Sequence, residues 1–294
     1  MSNSCTRYCG RFAPSPTGPL HLGSLLSACA SWLDARANGG RWLIRMEDLD
    51  PPREAPGART EILATLTRSG MHSDLPIRVQ SERARAYDDA LLRLLRSGHA
   101  FECRCSRTDL AASGGIHRGP CRASDRRRAP AIRLRVPDAV VSFADRIQGN
   151  HAQALAACVG DVVLKRADGL YAYQLAVVVD DADQGITHVV RGADLLDSTP
   201  RQIYLQRCLE LPTPSYAHVP VLLGADGQKL SKQNLAPAIV AGTELQALRR
   251  VGRWLGQPDS DADSASAWLA KAAERWRLDA IPRRYGIPIG DDQH

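Results

Sequence analysis

The sequence contains no apolar run that approaches the roughly 18 residues needed to span a bilayer. Its first segment, MSNSCTRYCG, lacks the apolar core of a signal peptide. Aromatic residues make up only 5% of the chain and few accompany its basic segments, so stacking on single-stranded bases is not indicated. These absences predict a cytoplasmic protein with no membrane partner.

The composition, with 44% hydrophobic and 24% charged residues, is typical of a globular protein that buries a core. A net charge of +6 and a pI of about 9.0 favour an anionic partner without identifying it. In a cytoplasmic chain the eight cysteines are expected to be thiols or metal ligands rather than disulfides. We also expect a monomer.

Strands and helices alternate in the first part of the chain, which indicates a parallel α/β sheet. RYCGRF, RWLIRME and PIRVQ predict strands, and the segments between them predict helices. DVVLKRADGLYAYQLAVVVDD predicts a hairpin with its turn at Asp168-Gly169, and AHVPVLLG predicts a single strand. The predicted organisation is a Rossmann-like domain in two halves at residues 1–100 and 191–235, an α+β insertion at residues 101–190, and a helical tail at residues 236–294.

The stretch APSPTGPLHLGS is a proline-stiffened turn that runs into a predicted helix. It has neither the GK[ST] nor the GxGxxG signature of common phosphate loops. Gly18 and Gly23 nevertheless allow a ligand to approach the backbone, and His21 stands at the helix start, where an anion is favoured. The alternative is a proline-rich surface turn.

A second turn, KLSKQ, carries Lys229 and Lys232 on either side of Ser231. Two lysines in a loop that follows a strand could supply the cations that a triphosphate needs. A solvated surface loop is the alternative for this turn alone. The hypothesis is that both turns meet around one nucleotide.

A third motif combines Cys103 and Cys105 with His117 and Cys121 in a loop-rich segment. Three cysteines and a histidine can close a tetrahedral zinc site, and a segment with little apolar sequence depends on such a metal to fold. The alternative is a set of reduced thiols without a metal.

The motifs RFAPSPTGPLHLGS and KLSKQ resemble the HIGH and KMSKS signatures of class I aminoacyl-tRNA synthetases. RFAPSPTG, LIRMEDLDPPR, YAYQLAVVVDD and VVRGADLLDSTPRQ are similar to the glutamyl branch of that family. Little chain follows KLSKQ, so a large anticodon-binding domain is not expected, as in the glutamyl-queuosine tRNA(Asp) synthetases. The resemblance implies tRNA-independent activation of L-glutamate with ATP, then transfer to the queuosine base of tRNA-Asp.

The resemblance also implies residue roles. It predicts a glutamate site with two carboxylate partners, two hydrogen-bonding groups and an ammonium acceptor: respectively Arg11 and Arg191, Ser15 and Tyr173, and Glu47. It predicts ATP contacts from His21, Gly23, Lys229, Ser231 and Lys232, with His21 and Lys232 as the catalytic residues. Mg²⁺ is expected with ATP, and some relatives carry zinc where the three cysteines and His117 stand.

Arginines cluster beside the cysteine motif and recur on the tail, where they could contact RNA phosphates or form a solvated surface. They are Arg122, Arg126, Arg127, Arg128, Arg133, Arg135, Arg249, Arg250 and Arg253. Two other functions stay open at this point. One is a minimal glutamyl-tRNA synthetase that charges a 3′ end, and the other is a non-catalytic, RNA-binding relative of a synthetase.

Overall fold

The computed structural model describes residues 8–224, 226–230 and 237–289 of the chain. Five parallel strands lie side by side at its centre. In order across the sheet they are β3 (Arg78–Val79), β2 (Arg41–Met46), β1 (Cys9–Phe12), β9 (His188–Gly192) and β10 (Ser215–Val219). The Thr187 N–H, just before β9, donates to the Cys9 carbonyl at 2.9 Å and so joins β9 to β1. The predicted Rossmann-like parallel sheet is confirmed.

The helices pack around this sheet. They are α1 (Leu22–Ala37), α2 (Ala58–Arg68), α3 (Ala84–Arg96), α4 (Leu155–Cys158), α5 (Tyr173–Asp183), α6 (Thr199–Cys208), α7 (Glu244–Trp254) and α8 (Ala265–Glu274). Helix α1 contacts β1, β2 and β9 as well as α7 and α8, so most of its surface is buried. Throughout the described ranges, helices are too short or too polar to cross a membrane.

A separate antiparallel sheet lies within the predicted insertion. It consists of β4 (Ala100–Cys103), β5 (Ala131–Leu134) and β8 (Val162–Lys165). A hairpin of β6 (Val140–Asp145) and β7 (Gly149–Ala154) follows β5 and touches the central sheet where Asp145 pairs with Tyr216. The limits of the insertion and of the other domains stay a prediction. Strand β9, which begins within the predicted insertion, belongs to the parallel sheet.

The tail packs onto helix α1 of the predicted Rossmann-like domain instead of extending from it. Trp268 of α8 is buried against Gly252 of α7, where a Cβ atom would come within 2.5 Å of the indole ring. A short strand, β12 (Gly286–Pro288), pairs with β11 (Val221–Leu223) beside the central sheet. The tail is therefore helical, as predicted, with one added strand.

The predicted hairpin around Asp168-Gly169 is wrong in its second arm. The turn forms, since the Arg166 N–H donates to the Leu170 carbonyl at 2.8 Å, but the chain then enters helix α5. Its valines are buried against α3, α6 and β8, so tertiary burial outweighs their preference for strands. The single strand predicted for AHVPVLLG is also divided, because Pro220, which has no N–H to donate, separates β10 from β11.

Candidate active site

A cavity of about 760 Å³ opens at the carboxyl ends of β1, β2 and β9. Ligands of open α/β sheets bind at this edge. The cavity brings together most of the predicted site residues, which come from five segments of the chain: Arg11, Ser15, His21, Gly23, Glu47, Tyr173, Arg191 and Lys229. Ser231 and Lys232 lie outside the described residues, so their predicted contacts are not tested.

The proline-rich turn and the described start of the lysine turn line the same cavity. Its lining includes His21 and Gly23 from the first turn, and Gln228 and Lys229 at the second. The chain that follows the lysine turn returns to the proline-rich turn, where the Ile239 N–H donates to the Leu20 carbonyl at 3.0 Å. Two segments about 200 residues apart in the sequence therefore share one crevice.

His21 caps the N-terminus of α1 with its side chain. Its Nδ1 accepts hydrogen bonds from the backbone N–H groups of Gly23 at 3.1 Å and Ser24 at 3.4 Å. Because Nδ1 is an acceptor, the proton of the neutral imidazole sits on Nε2, which lies 3.0 Å from Ser24 Oγ. His21 is thus held as a neutral N–H donor at a helix N-terminus, a position that favours anions.

Arg191, at the end of β9, is a buried cation whose hydrogen-bond partners are all neutral. Its Nε donates to His218 Nε2 at 3.0 Å, and its Nη2 donates to Thr199 Oγ1 at 2.9 Å and Gln202 Oε1 at 2.8 Å. Its Nη1 lies 3.4 Å from the Tyr173 hydroxyl at the cavity. No carboxylate of the described residues comes within 4.0 Å of the guanidinium. An anionic ligand could therefore supply the missing negative charge.

Arg11, at the end of β1, has a carboxylate partner inside the protein. Its Nε and Nη2 donate to the two oxygens of Asp181 at 3.2 and 3.3 Å. Arg45 reaches the same carboxylate at 2.8 Å. Burial alone would raise the pKa of Asp181, but these two arginines bring it below its ordinary value. Arg11 and Arg191, the two strand-end arginines of the cavity, thus differ, because a buried carboxylate inside the protein contacts Arg11 but not Arg191.

Glu47, just after β2, presents a buried carboxylate to the cavity. Burial raises its pKa above the ordinary value, against the opposing effect of Arg45 and Arg11. Among the ion pairs of the described residues, the partner of Glu47 is Arg45, whose Nη2 lies 3.4 Å from Glu47 Oε1 and whose Nη1 contacts Asp181. Glu47 is therefore a partly neutralised anion that a ligand ammonium can stabilise.

Three charged or amide residues of the cavity, Arg53, Asp194 and Gln228, were not predicted from the sequence. Asp194 accepts a hydrogen bond from Lys229 Nζ at 2.5 Å, and Gln228 precedes that lysine. Arg53 reaches the cavity from the segment that follows β2, where the motif LIRMEDLDPPR ends. That motif was the available signal for Arg53, whereas nothing in the sequence near Asp194 indicates that it pairs with Lys229.

Three of the four predicted metal ligands come together away from the cavity. The sulfur atoms of Cys103, Cys105 and Cys121 all lie within 4.8 Å of one another. The Arg104 N–H points to Cys121 Sγ at 3.3 Å, and the Arg122 N–H points to Cys105 Sγ at 3.2 Å. Burial alone would raise the pKa of Cys121, but such backbone donors lower it to about 7. Burial and the neighbouring sulfurs raise the pKa of Cys105 to about 11, so within this cluster Cys121 favours the thiolate, the form that binds zinc.

His117, the fourth predicted ligand, is not part of this cluster. Its Nδ1 lies 2.7 Å from Asp161 Oδ2, and its ring packs against Phe101 with the ring centroids 5.5 Å apart. Its Nε2 is buried without a hydrogen-bond partner. The pairing with Asp161 explains why the structure does not place His117 among the sulfur atoms.

The predicted basic surface is only partly solvated. Arg122, Arg126 and Arg127 are exposed beside the cysteine cluster. Other arginines of the set have structural partners: Arg128 pairs with Asp109 at 3.1 Å, and Arg133 donates to the Asp161 carbonyl at 3.0 Å. Fewer of the predicted arginines are therefore available to an anionic partner.

Comparison with known proteins agrees with this geometry. Residues 9–246 match the family model described as tRNA synthetases class I (E and Q), catalytic domain. The chain is 60% identical over 289 residues to the glutamyl-Q tRNA(Asp) synthetase of Xanthomonas axonopodis pv. citri, covering 97% of this chain and 96% of that one. It is 54% identical over 288 residues to the glutamyl-Q tRNA(Asp) synthetase of Neisseria meningitidis serogroup A, covering 94% and 98%.

A solved structure of similar fold is the glutamate tRNA ligase of Elizabethkingia meningosepticum in complex with its amino acid. It superposes with a TM-score of 0.82 at 25% sequence identity, covering 98% of this chain and 68% of that one. The similarity therefore extends across the cavity, the insertion and the tail.

Proposed function

Because the chain belongs to the class I tRNA synthetases of the glutamate and glutamine group, we propose that it activates L-glutamate with ATP without tRNA. The glutamyl-adenylate then transfers glutamate to the queuosine base at the wobble position of tRNA-Asp. The names of the relatives support this acceptor. The observation that carries the amino-acid part is the buried Arg191, with neutral partners only, beside the buried carboxylate of Glu47.

Glutamate has two carboxylates and one ammonium, and the cavity offers matching charges. Arg191 would bind one carboxylate, and Tyr173, 3.4 Å from its Nη1, would share it. Glu47 would accept the ammonium. Arg11 would be a weaker anion partner than Arg191, because Asp181 already neutralises it. Ser15 lies in the same cavity and would add a hydrogen bond.

In the activation step, an oxygen of the α-carboxylate attacks the α-phosphorus of ATP. A new P–O bond forms, the bond to the bridging oxygen breaks, and pyrophosphate leaves with that electron pair. The nucleophile is already ionised, so the protein needs to orient the reactants and stabilise charge rather than move a proton. His21 Nε2–H and Lys229 are placed for the phosphates, Gly23 allows their close approach, and Ser231 and Lys232 are proposed to join them. Mg²⁺ would accompany ATP.

We also propose a structural zinc ion on Cys103, Cys105 and Cys121. Three clustered sulfurs with N–H donors fit the thiolate ligands that zinc prefers. The fourth ligand stays a prediction. His117 offers its buried Nε2, but this atom would have to move toward the sulfurs.

Two assays test the proposed function. Glutamate-dependent ATP–pyrophosphate exchange without tRNA is the expected first result, and its absence would support the non-catalytic relative. The second assay is mass spectrometry of tRNA-Asp nucleosides after incubation with protein, ATP and glutamate. We expect glutamate on queuosine and no product on tRNA-Asp that lacks queuosine. Glutamate on a 3′ end would instead identify a minimal glutamyl-tRNA synthetase.

A further inference from the structure

Behind Arg191 stands a buried pair that does not line the cavity. His218, on β10, accepts from Arg191 Nε at its Nε2, and its Nδ1 lies 2.6 Å from Asp145 Oδ2. Asp145 ends β6, on the neighbouring strand. The side chains of Asp145 and His218 are both fully buried. A carboxylate thus reaches Arg191 through an imidazole rather than directly.

The hydrogen bonds of Asp145 determine its charge. Its Oδ1 accepts from the backbone N–H groups of Ile147 at 3.0 Å, Gln148 at 2.8 Å and His218 at 3.1 Å. An oxygen that accepts three N–H groups, beside a second that accepts one, belongs to an ionised carboxylate. Asp145 is therefore ionised, and both of its carboxylate oxygens accept hydrogen bonds from groups within the protein.

An ionised Asp145 selects the tautomer of His218. The imidazole places its proton on Nδ1 to donate to the carboxylate, and this leaves Nε2 as an acceptor. Only that tautomer can accept the Arg191 Nε–H at 3.0 Å. The opposite tautomer would set two N–H donors against each other, with the loss of that hydrogen bond.

Other neutral groups hold the rest of the Arg191 guanidinium. Thr199 and Gln202 accept from Nη2, so the cavity edge of the guanidinium is Nη1, beside Tyr173. With Nε held by His218, the plane of the guanidinium has one orientation. Asp181, by contrast, contacts Arg11 directly and neutralises it.

We propose that Asp145 and His218 are positioning residues for amino-acid binding. Resting on the proposed function, this pair fixes the tautomer and orientation that aim Arg191 Nη1 at a carboxylate of glutamate. The intervening imidazole keeps the Asp145 carboxylate away from the guanidinium, so the charge of Arg191 stays available to the ligand. The pair acts through Arg191 and touches no substrate.

The test compares Asp145→Asn, His218→Leu and His218→Gln in glutamate-dependent pyrophosphate exchange. Asparagine can donate to His218 Nδ1 and impose the wrong tautomer, and leucine removes the acceptor. We expect both to raise the KM for glutamate about tenfold, the effect of one strong hydrogen bond, with the KM for ATP unchanged. Glutamine retains an acceptor near the place of Nε2, so His218→Gln should recover part of the affinity.

Asp34→Asn is the matched control. Asp34 is also a buried carboxylate with several donors, Tyr8, Arg146 and Trp276, but it does not line the cavity. We expect it to lower thermal stability and leave the KM for glutamate unchanged. If Asp145→Asn and His218→Leu change that KM no more than this control does, the proposed positioning role is overturned. Should Asp145→Asn fail to fold, the two His218 variants decide the question.

Ring-nitrogen NMR separates this inference from the proposed function. In the wild-type protein, the histidine signal that disappears in His218→Gln should report a proton on Nδ1, and a proton on Nε2 would overturn the inference. If the wild-type protein shows no glutamate-dependent exchange, the proposed function fails. The NMR result still decides whether the pair holds His218 in the stated tautomer.

Discussion

The amino-acid end of the cavity and the cysteine cluster hold their polar groups in different ways. At the cavity, Arg11, Glu47 and Arg191 come from the ends of neighbouring strands, and buried side chains hold each of them. In the cysteine cluster, Cys103 ends β4 and is buried, whereas Cys105 and Cys121 lie in loops and are half-buried. A site on a sheet edge is organised by the fold before its ligand arrives, whereas a loop cluster depends on its ligand for order.

The largest expected effect comes from the cation at the cavity. Arg191→Leu should lower kcat/KM for glutamate about a hundredfold or more, because it removes a desolvated charge partner of the ligand. Arg191→Lys should recover little, since an ammonium cannot contact His218, Thr199 and Gln202 as the guanidinium does. Pyrophosphate exchange at varied glutamate concentration measures both.

Arg36→Leu is the control for Arg191→Leu. Arg36 forms an ion pair with Asp74 at 2.7 Å and does not line the cavity. Its variant should keep kcat/KM for glutamate within about twofold. An equal loss in Arg36→Leu and Arg191→Leu would mean that loss of stability, rather than loss of ligand binding, accounts for the result.

The same contrast shows what the sequence could predict. The structure brings residues of the short motifs together, because a turn and its helix start are local: His21 caps α1, and the described parts of both turns line one cavity. Which residue pairs with which in the site could not be assigned from the sequence. Asp181 stands 170 positions from Arg11, and Asp145 stands 73 from His218. Only the topology of the sheet joins them.

The cysteine region shows the opposite limit. The spacing of Cys103, Cys105 and Cys121 predicted a cluster that the structure confirms as a group of sulfurs. The same spacing could not predict that Asp161, which immediately precedes β8, would pair with His117. The helix of α5 was missed for a related reason, since its valines are buried by elements distant in sequence.

A smaller effect is expected from pH at Glu47. Burial raises the pKa of Glu47, and only its ionised form accepts the glutamate ammonium. The affinity for the substrate glutamate should therefore be highest above the raised pKa of Glu47 and fall as pH drops through it. This fall should occur at a higher pH than the ordinary glutamate pKa of about 4.3 would give. The KM for glutamate should rise as pH falls from neutral values and Glu47 binds a proton.

Glu47→Gln distinguishes this titration from others in the cavity. The variant should have a higher KM for glutamate at neutral pH, and this KM should no longer vary over the pH range in which Glu47 titrates. The KM for ATP in the wild-type protein serves as the internal control and should stay level. A rise in KM for glutamate that persists unchanged in Glu47→Gln would assign the pH effect to another group.

The smallest effect on glutamate activation is expected at the cysteine cluster. Cys103→Ser should remove bound zinc, measured by metal analysis, and make the loops between β4 and β5 more sensitive to protease. Within the described stretch between β4 and β5, the one element of secondary structure is a 3₁₀ turn, Ala111–Ser113, so little else would hold these loops in place. Glutamate-dependent exchange should stay within about threefold of wild type, because the cysteine cluster does not line the cavity. Cys158→Ser, an exposed cysteine outside the cluster, should change neither property. A loss of exchange in Cys103→Ser as large as that in Arg191→Leu would show that the cavity is not organised independently of the metal site.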